Sequence, residues 1–454
     1  MAAEKDIIVA LELATTSIRA IAGQRMPDGT MQILAFAEEN ASNCIRKGII
    51  DNIDKTTQAI TRVLGQIGWQ LGQTISRIYV GLGGQSLHSV QNHIQRSFTE
   101  RTQISNSLID QLMDTNRGIV YTDSQILEVI PQEYKIGNRT EADIVGMQTE
   151  QMEANFLNII ARNSLVENIE KCVNGAGFEI AELQITPLAL GDTILTAAEK
   201  RSGCALVDIG ADTTTISIYT KNILRKLVVI PLGGNNVSMD IAYCLKTEFD
   251  EAESLKLKYG HAWLEDYNTA QNNIIKISHN REISESDLCE ITEARYEEII
   301  RNIWAQIEYD NDRLTSGIVF TGGGAQMHSL SNAFIQNTNS SKQIRLAKGL
   351  PTDISKASGV FIPDNGRMNS ILSILMHGDQ NCINQSPATT DTDTVENGSN
   401  TTPTAPQPND TPVEPEDDAT KPTEEGTVEE PKKKKKSFWQ ILTDALTSDE
   451  DDKN

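Results

Sequence analysis

Ile318-Val319-Phe320-Thr321-Gly322-Gly323-Gly324-Ala325 is the stretch that decides the fold: a short apolar strand opens into three glycines and then into a helix-like run through Leu330. Glycine lets backbone approach a flat ligand such as a base and its sugar, and a plain structural turn does not usually need three of them. Upstream, residues 204–209, 216–219 and 227–230 read as three strands around polar turns. Near the N-terminus, residues 7–13, 18–22 and 31–36, followed by helical spacing over 54–69, repeat the same plan. The shared pattern is strand, acidic residue, small residue, Thr, strand. It reads Glu12-Leu13-Ala14-Thr15-Thr16 in the first copy and Asp208-Ile209-Gly210-Ala211-Asp212-Thr213-Thr214 in the second. Two such hairpins facing each other would offer backbone N–H groups and hydroxyls to phosphates from both sides. Glu12 and Asp208, one at each strand end, would orient a hydrated magnesium ion. Taken singly, each hairpin also reads as an ordinary turn.

Two further pieces fit one cleft. Pro231-Leu232-Gly233-Gly234-Asn235 precedes a helix containing Asp240, and Glu253 and Lys256 lie three apart on a second helix, sharing a face from which they could bracket a ribose and base. The plainer reading of that pair is a surface ion pair.

The C-terminus carries a different signal. Lys432, Lys433, Lys434, Lys435 and Lys436 run directly into Phe438, Trp439, Ile441, Leu442, Ala445 and Leu446. On a helix those six apolar residues fall in an arc of roughly 160°. An anionic leaflet attracts each nearby Lys by about 1 kcal/mol, and each large apolar side chain that fully inserts adds roughly 1.5–3 kcal/mol. Residues 432–454 therefore read as a reversible, polybasic amphipathic membrane foot; the alternative is a solvated basic tail. Residues 379–431 hold thirteen Asp or Glu against the single Lys421, eight of the chain's 14 prolines and no aromatic residue. Such a stretch cannot bury a core, so it reads as a disordered acidic tether.

The composition excludes several classes. No run of 18 apolar residues occurs, so no membrane-spanning helix is expected, and the N-terminus lacks the pattern of a signal peptide, pointing to the cytoplasm. Six cysteines without Cys-x-x-Cys spacing indicate neither a zinc site nor a disulfide framework. A formal charge of −23 argues against nucleic acid, since the lysine run is the one basic patch.

These segments, in this order, resemble the actin and Hsp70 nucleotide-binding fold, and residues 6–378 closely resemble the FtsA family of actin-like bacterial cell-division proteins. Particular matches are Val129-Ile130-Pro131-Gln132-Glu133-Tyr134, Val145-Gly146-Met147, Ile230-Pro231-Leu232-Gly233-Gly234-Asn235, Asp240-Ile241-Ala242 and Gly317-Ile318-Val319-Phe320-Thr321-Gly322-Gly323. The resemblance implies an α/β, actin-like (ribonuclease H-like) two-domain fold with a nucleotide cleft. The first domain would span 1–81 and 164–200, a small insertion subdomain 82–163, and the second domain 201–378. It implies ATP and magnesium as cofactors. The phosphate hairpins would fall on Glu12, Ala14, Thr15, Thr16 and Ser17 and on Asp208, Gly210, Thr213 and Thr214. Gly233, Gly234, Gly322, Gly323 and Gly324 would contact nucleotide, and Glu253 and Lys256 would face the nucleoside. It further implies self-association into filaments, attachment to anionic lipid at the cytoplasmic face of the inner membrane at the septum, binding to FtsZ near residues 295–307, and recruitment of later division proteins.

The departures from the family pattern bear on chemistry. Where the family has Asp-Ile-Gly-Thr-Thr-Lys, this chain has Glu12-Leu13-Ala14-Thr15-Thr16-Ser17, with a longer acid, a Cβ in place of the glycine and no lysine. In the second hairpin Ala211 and Asp212 replace two glycines, and Thr215 stands where an acid is common; Asp212 would repel phosphate if it pointed inward. The expectation is weaker phosphate binding and at most weak ATPase activity, with Asp208 and Glu12 the candidate catalytic carboxylates. Alternatives are an actin-like scaffold of pilus assembly or cell shape, a kinase of the same superfamily, for which no acceptor-site motif is visible, and a chaperone, for which residues after 378 offer no β-rich domain.

Overall fold

The computed structural model describes residues 6–278, 280–347 and 353–383. The foot at 432–454 and the tether from residue 384 onward lie outside the described residues.

Local chemistry sets each element. The helix Ile53–Leu71 begins where the Asn52 side chain accepts the Lys55 N–H at 2.9 Å. Ala59, Ile60, Val63, Leu64 and Ile67 form its buried stripe, and it stops at Gly72, whose φ of 65° an L side chain rarely adopts. The strands Ile7–Leu13, Ser17–Arg25 and Met31–Asn40 form an antiparallel meander, with Glu12 opposite Arg19 and Arg19 opposite Glu38. Arg77–Leu82 joins the meander in parallel beside Ile7–Leu13, and Glu179–Ile185 and Ile354–Lys356 complete a six-stranded sheet at its two edges.

The second sheet repeats the plan. Cys204–Ile209, Thr214–Thr220 and Ile223–Ile230 form the meander, Ile318–Thr321 lies parallel beside Cys204–Ile209, and Ile344–Leu346 follows. The duplication, weak as sequence identity, is thus plain as topology. Inserted between Arg77–Leu82 and the helix Asn163–Gly175, strands His88–Gln103, Ser124–Ile136, Arg139–Glu141 and Gln148–Arg162 make a separate four-stranded sheet with the helix Asn106–Arg117 against it.

Two expectations are corrected. The helix expected directly after Gly324 begins instead at Leu330 and runs to Thr338, preceded by a short 3-10 turn Gly324–Gln326. An extended Met327 and the left-handed Ser329, at φ 58°, separate them. The ordered body also reaches beyond residue 378. The Cys382 N–H donates to the Ile7 carbonyl at 2.8 Å, Cys382 is fully buried, and Tyr79 Oη donates to Asp379 at 2.7 Å. Composition placed the break too early because a short stretch led by the polar Asp379, Gln380 and Asn381 can still be held by hydrogen bonds at the starts of two strands of the first sheet. Just before them, the helix Asn369–His377 buries Ile371, Leu372, Ile374 and Leu375 against the first sheet, each such burial contributing about 1.5–3 kcal/mol.

Candidate functional site

Both hairpins, the glycine turn and the Glu253–Lys256 helix open onto one cleft of about 580 Å³. Glu12, Ala14, Thr15 and Thr16 line it from the first sheet; Asp208, Gly210, Thr213 and Gly234 line it from the second, with Glu253, Lys256, Gly322, Gly323 and Gly324. Three expected residues do not line it. Ser17 is buried in its strand opposite Asn40. Thr214 donates its hydroxyl to the Leu232 carbonyl at 2.8 Å, fixing the hairpin to the next segment. Gly233 lets backbones meet, since a Cβ there would lie 2.5 Å from the Ala211 oxygen.

That close approach seats the helix Gly234–Leu245 against the second hairpin. The N–H groups of Gly234 and Asn235 donate to the carbonyls of Gly210 and Ala211 at 3.0 and 2.7 Å. Asp212, the residue expected to repel phosphate if it faced inward, is not among the lining residues. Its carboxylate accepts from the Asn235 side chain at 2.7 Å and from the Lys47 N–H at 3.2 Å. The expected repulsion is removed because short polar side chains at a turn find backbone donors close by.

The three glycines have different jobs. Gly322 sits at φ 91°, and a Cβ there would stand 2.2 Å from Asp208 Oδ1 and 2.5 Å from the Ile209 carbonyl. At Gly324 a Cβ would meet Ile209 Cγ2 at 2.4 Å, and its carbonyl accepts from the buried Tyr296 hydroxyl at 2.7 Å. Gly323 has ordinary helical dihedrals and open space around it, with Arg367 Cγ nearest at 3.6 Å. Opposite this turn, Lys256 is 7% exposed, bonded to Glu253 at 2.6 Å and to the Gly234 carbonyl at 3.1 Å. The helical i,i+3 pair is therefore a wall of the cleft and not a surface decoration. Burial lowers the Lys256 pKa, and Glu253 opposes the shift.

Sequence reasoning missed Arg19. It lines the cleft at 6% exposure, with Nη1 on Glu12 Oε2 at 3.1 Å and on the Arg367 carbonyl at 3.2 Å, and Nε on Glu38 at 2.9 Å. Burial works against the cation, yet Glu12 and Glu38 hold its pKa above the ordinary value. Glu12 is raised by burial, with Arg19 opposing. The signal was available, because closing the hairpin with Leu13 opposite Ile18 sets Glu12 opposite Arg19. Arg367, which also lines the cleft, comes from the far end of the body and carries no such local signal.

Two family models match this chain, "SHS2 domain inserted in FTSA" over residues 84–160 and "Cell division protein FtsA" over residues 205–360. Cell division protein FtsA of Pseudomonas aeruginosa is 30% identical over 330 residues, covering 71% of this chain and 78% of that protein. This chain belongs to the FtsA family. FtsA of Porphyromonas gingivalis is likewise 30% identical, over 72% of this chain and 70% of that protein, and FtsA of Escherichia coli K12 is 28% identical over 73% and 81%. Among solved structures, a PilM-PilN type IV pilus biogenesis complex covers 81% of this chain and 97% of its own at TM-score 0.58 and 14% identity, a likeness of fold. The fold is the actin-like one, with the FtsA insertion domain in the place of the four-stranded sheet.

Within this FtsA-family cleft Asp208 is a strongly perturbed carboxyl. Burial, with a smaller contribution from the Glu12 charge, pushes it from 3.8 up to about 7. A raised folded-state pKa means that the protonated form stabilises the fold. That contribution is whole below the unfolded value and is lost as pH rises through 7. Asp208→Asn, which removes the charge, is expected to stabilise the protein at pH 8 by about 2–4 kcal/mol, an advantage that shrinks steadily toward pH 5. Thermal unfolding across that range checks it; an equal gain at both ends would contradict it.

Proposed function

We propose that the cleft binds ATP and that the chain serves cell division as a nucleotide-dependent, membrane-attached scaffold for FtsZ. The observation that carries the nucleotide reading is the convergence of two hairpins, a glycine turn and a buried Lys256 on one space of about 580 Å³, within the range of small-molecule sites. The adenosine would lie between the Gly322–Gly324 backbone and the Glu253–Lys256 wall. The phosphates would run toward Ala14, Thr15 and Thr16 on one side and Gly210 and Thr213 on the other. Hydrolysis is expected to be slow, because Thr215 stands opposite Asp208 in the hairpin and offers no carboxylate to activate water.

Family membership and the tail sequence support the remaining parts of this reading. Residues 437–446 would lie in the cytoplasmic leaflet of the inner membrane, held by Lys432 to Lys436, and the acidic, proline-rich composition of residues 384–431 would suit a tether between that foot and the body. One foot binds lipid reversibly; a filament of many feet multiplies residence through effective concentration. The helix Glu285–Ile307 would present the FtsZ contact on its outer side, since Arg295 itself is committed to Asp240 through two bonds at 2.5 and 3.0 Å. Later division proteins would join the assembled scaffold.

Titration with a fluorescent ATP analogue tests the cleft. Saturable binding is expected, weakened tenfold or more by Lys256→Ala, which removes a buried cation and a wall of the site. No binding, or equal binding by the variant, would contradict the assignment.

A further inference from the structure

A magnesium ion coordinated at Glu12 does not fit this cleft. Magnesium needs near-octahedral oxygen ligands at about 2.0–2.1 Å and is usually held by one or two carboxylates with its remaining waters. Of the two carboxylates available, Glu12 already accepts from Arg19 Nη1 at 3.1 Å, and the pair is enclosed, with side chains 7% and 13% exposed. Asp208 alone keeps its oxygens free of hydrogen bonds from the described residues.

The guanidinium is itself a built cationic site. Its Nε is taken by Glu38 and its Nη1 by Glu12 and the Arg367 carbonyl. Nη2, carrying two further N–H groups, donates to none of the described residues, although Arg19 as a whole is 6% exposed and lines the cleft. A buried cation with an unused pair of donors, at the first hairpin, matches an anionic oxygen, for which the planar fork of arginine is suited. Arg19 lies two residues beyond Ser17, on the same face of the strand, so a cation reaches the cleft even though position 17 provides none.

We propose that Arg19 is a phosphate-binding residue that stands in for magnesium, so that this cleft takes the polyphosphate of a nucleoside triphosphate without requiring a divalent cation at Glu12. The proposal rests on the nucleotide reading above. Its consequences are separable from that reading: the wild-type protein binds ATP within about threefold as tightly in EDTA as in millimolar magnesium, because the cation is covalently part of the chain. Arg19→Ala loses tenfold or more of its affinity in EDTA and recovers part of it with magnesium, since the substitution frees the Glu12 carboxylate.

The experiment is equilibrium binding of a fluorescent ATP analogue to the full chain, in EDTA and in magnesium chloride, for wild type, Arg19→Ala and Arg19→Lys. The lysine variant retains a cation between Glu12 and Glu38 but loses the fork, so it keeps the fold testable if the alanine variant does not fold, and intermediate EDTA affinity is expected from it. Wild-type binding that appears only with magnesium would overturn this inference and leave the nucleotide reading intact, as would EDTA affinity unchanged in a folded Arg19 variant. Absence of binding in both conditions would overturn both.

Discussion

Gly322→Ala is expected to abolish nucleotide binding and to lower stability by about 2–5 kcal/mol, while Gly323→Ala, one residue away, leaves stability nearly unchanged. At φ 91° an L residue pays roughly 1–2 kcal/mol for the left-handed backbone. The added Cβ would also sit 2.2 Å from Asp208 Oδ1 and 2.5 Å from the Ile209 carbonyl, the second of which is backbone and cannot simply rotate away. Relief requires moving Ile318–Thr321 away from its parallel neighbour Cys204–Ile209, at an overpacking cost of about 1–3 kcal/mol. Because both strands end at the cleft, the same movement opens the site. Gly323, with nothing closer than 3.6 Å and helical dihedrals, gains only the small unfolded-state benefit of a Gly-to-Ala change. Urea unfolding and ATP-analogue binding on the two variants check this; similar behaviour of both would show that the glycine turn is not the tight element described.

Trp439→Glu combined with Leu442→Glu is expected to release the full chain from anionic vesicles, with a loss of at least a hundredfold in lipid affinity. Two large apolar side chains at roughly 1.5–3 kcal/mol each account for about 3–6 kcal/mol, and two added negative charges oppose the lysine run. Folding and nucleotide binding should be unaffected, since the buried core and the cleft-lining residues named above lie far before position 439 in the chain. Vesicle retention of the double variant would assign the tail a role other than lipid binding.

The duplicated hairpins were legible because their leading strands are short continuous apolar runs that end in turns rich in Thr and small residues, so Cys204–Ile209 and Ile7–Leu13 could be placed from their own residues. The inserted sheet was legible through its matched segments. What local pattern does not carry is which residue stands across from which. Glu12, Arg19 and Glu38 form one cross-strand ladder on three successive strands, and only the register makes an arginine that reads as a surface strand residue into a buried cation of the cleft. Arg367 and the Tyr296 hydroxyl arrive from distant elements and could not be found by spacing at all. Asp212 shows the converse: its charge read as a threat to phosphate, and the neighbouring Asn235 and Lys47 donors turn it into a clasp between the second hairpin and the segment at Lys47. Thr214 matched the hairpin pattern but serves a backbone bond, because alternate residues of a strand face opposite sides, and Ser17 is buried at the start of its strand opposite Asn40.

The most direct test of the account is co-sedimentation of FtsZ with anionic vesicles in the presence of the full chain or of a chain ending at Pro431, each with and without ATP. The account predicts that only the full chain brings FtsZ down with lipid and that ATP increases the amount. Recruitment of FtsZ by the shortened chain, or failure of the full chain to bring FtsZ to the vesicles under any condition, would contradict it.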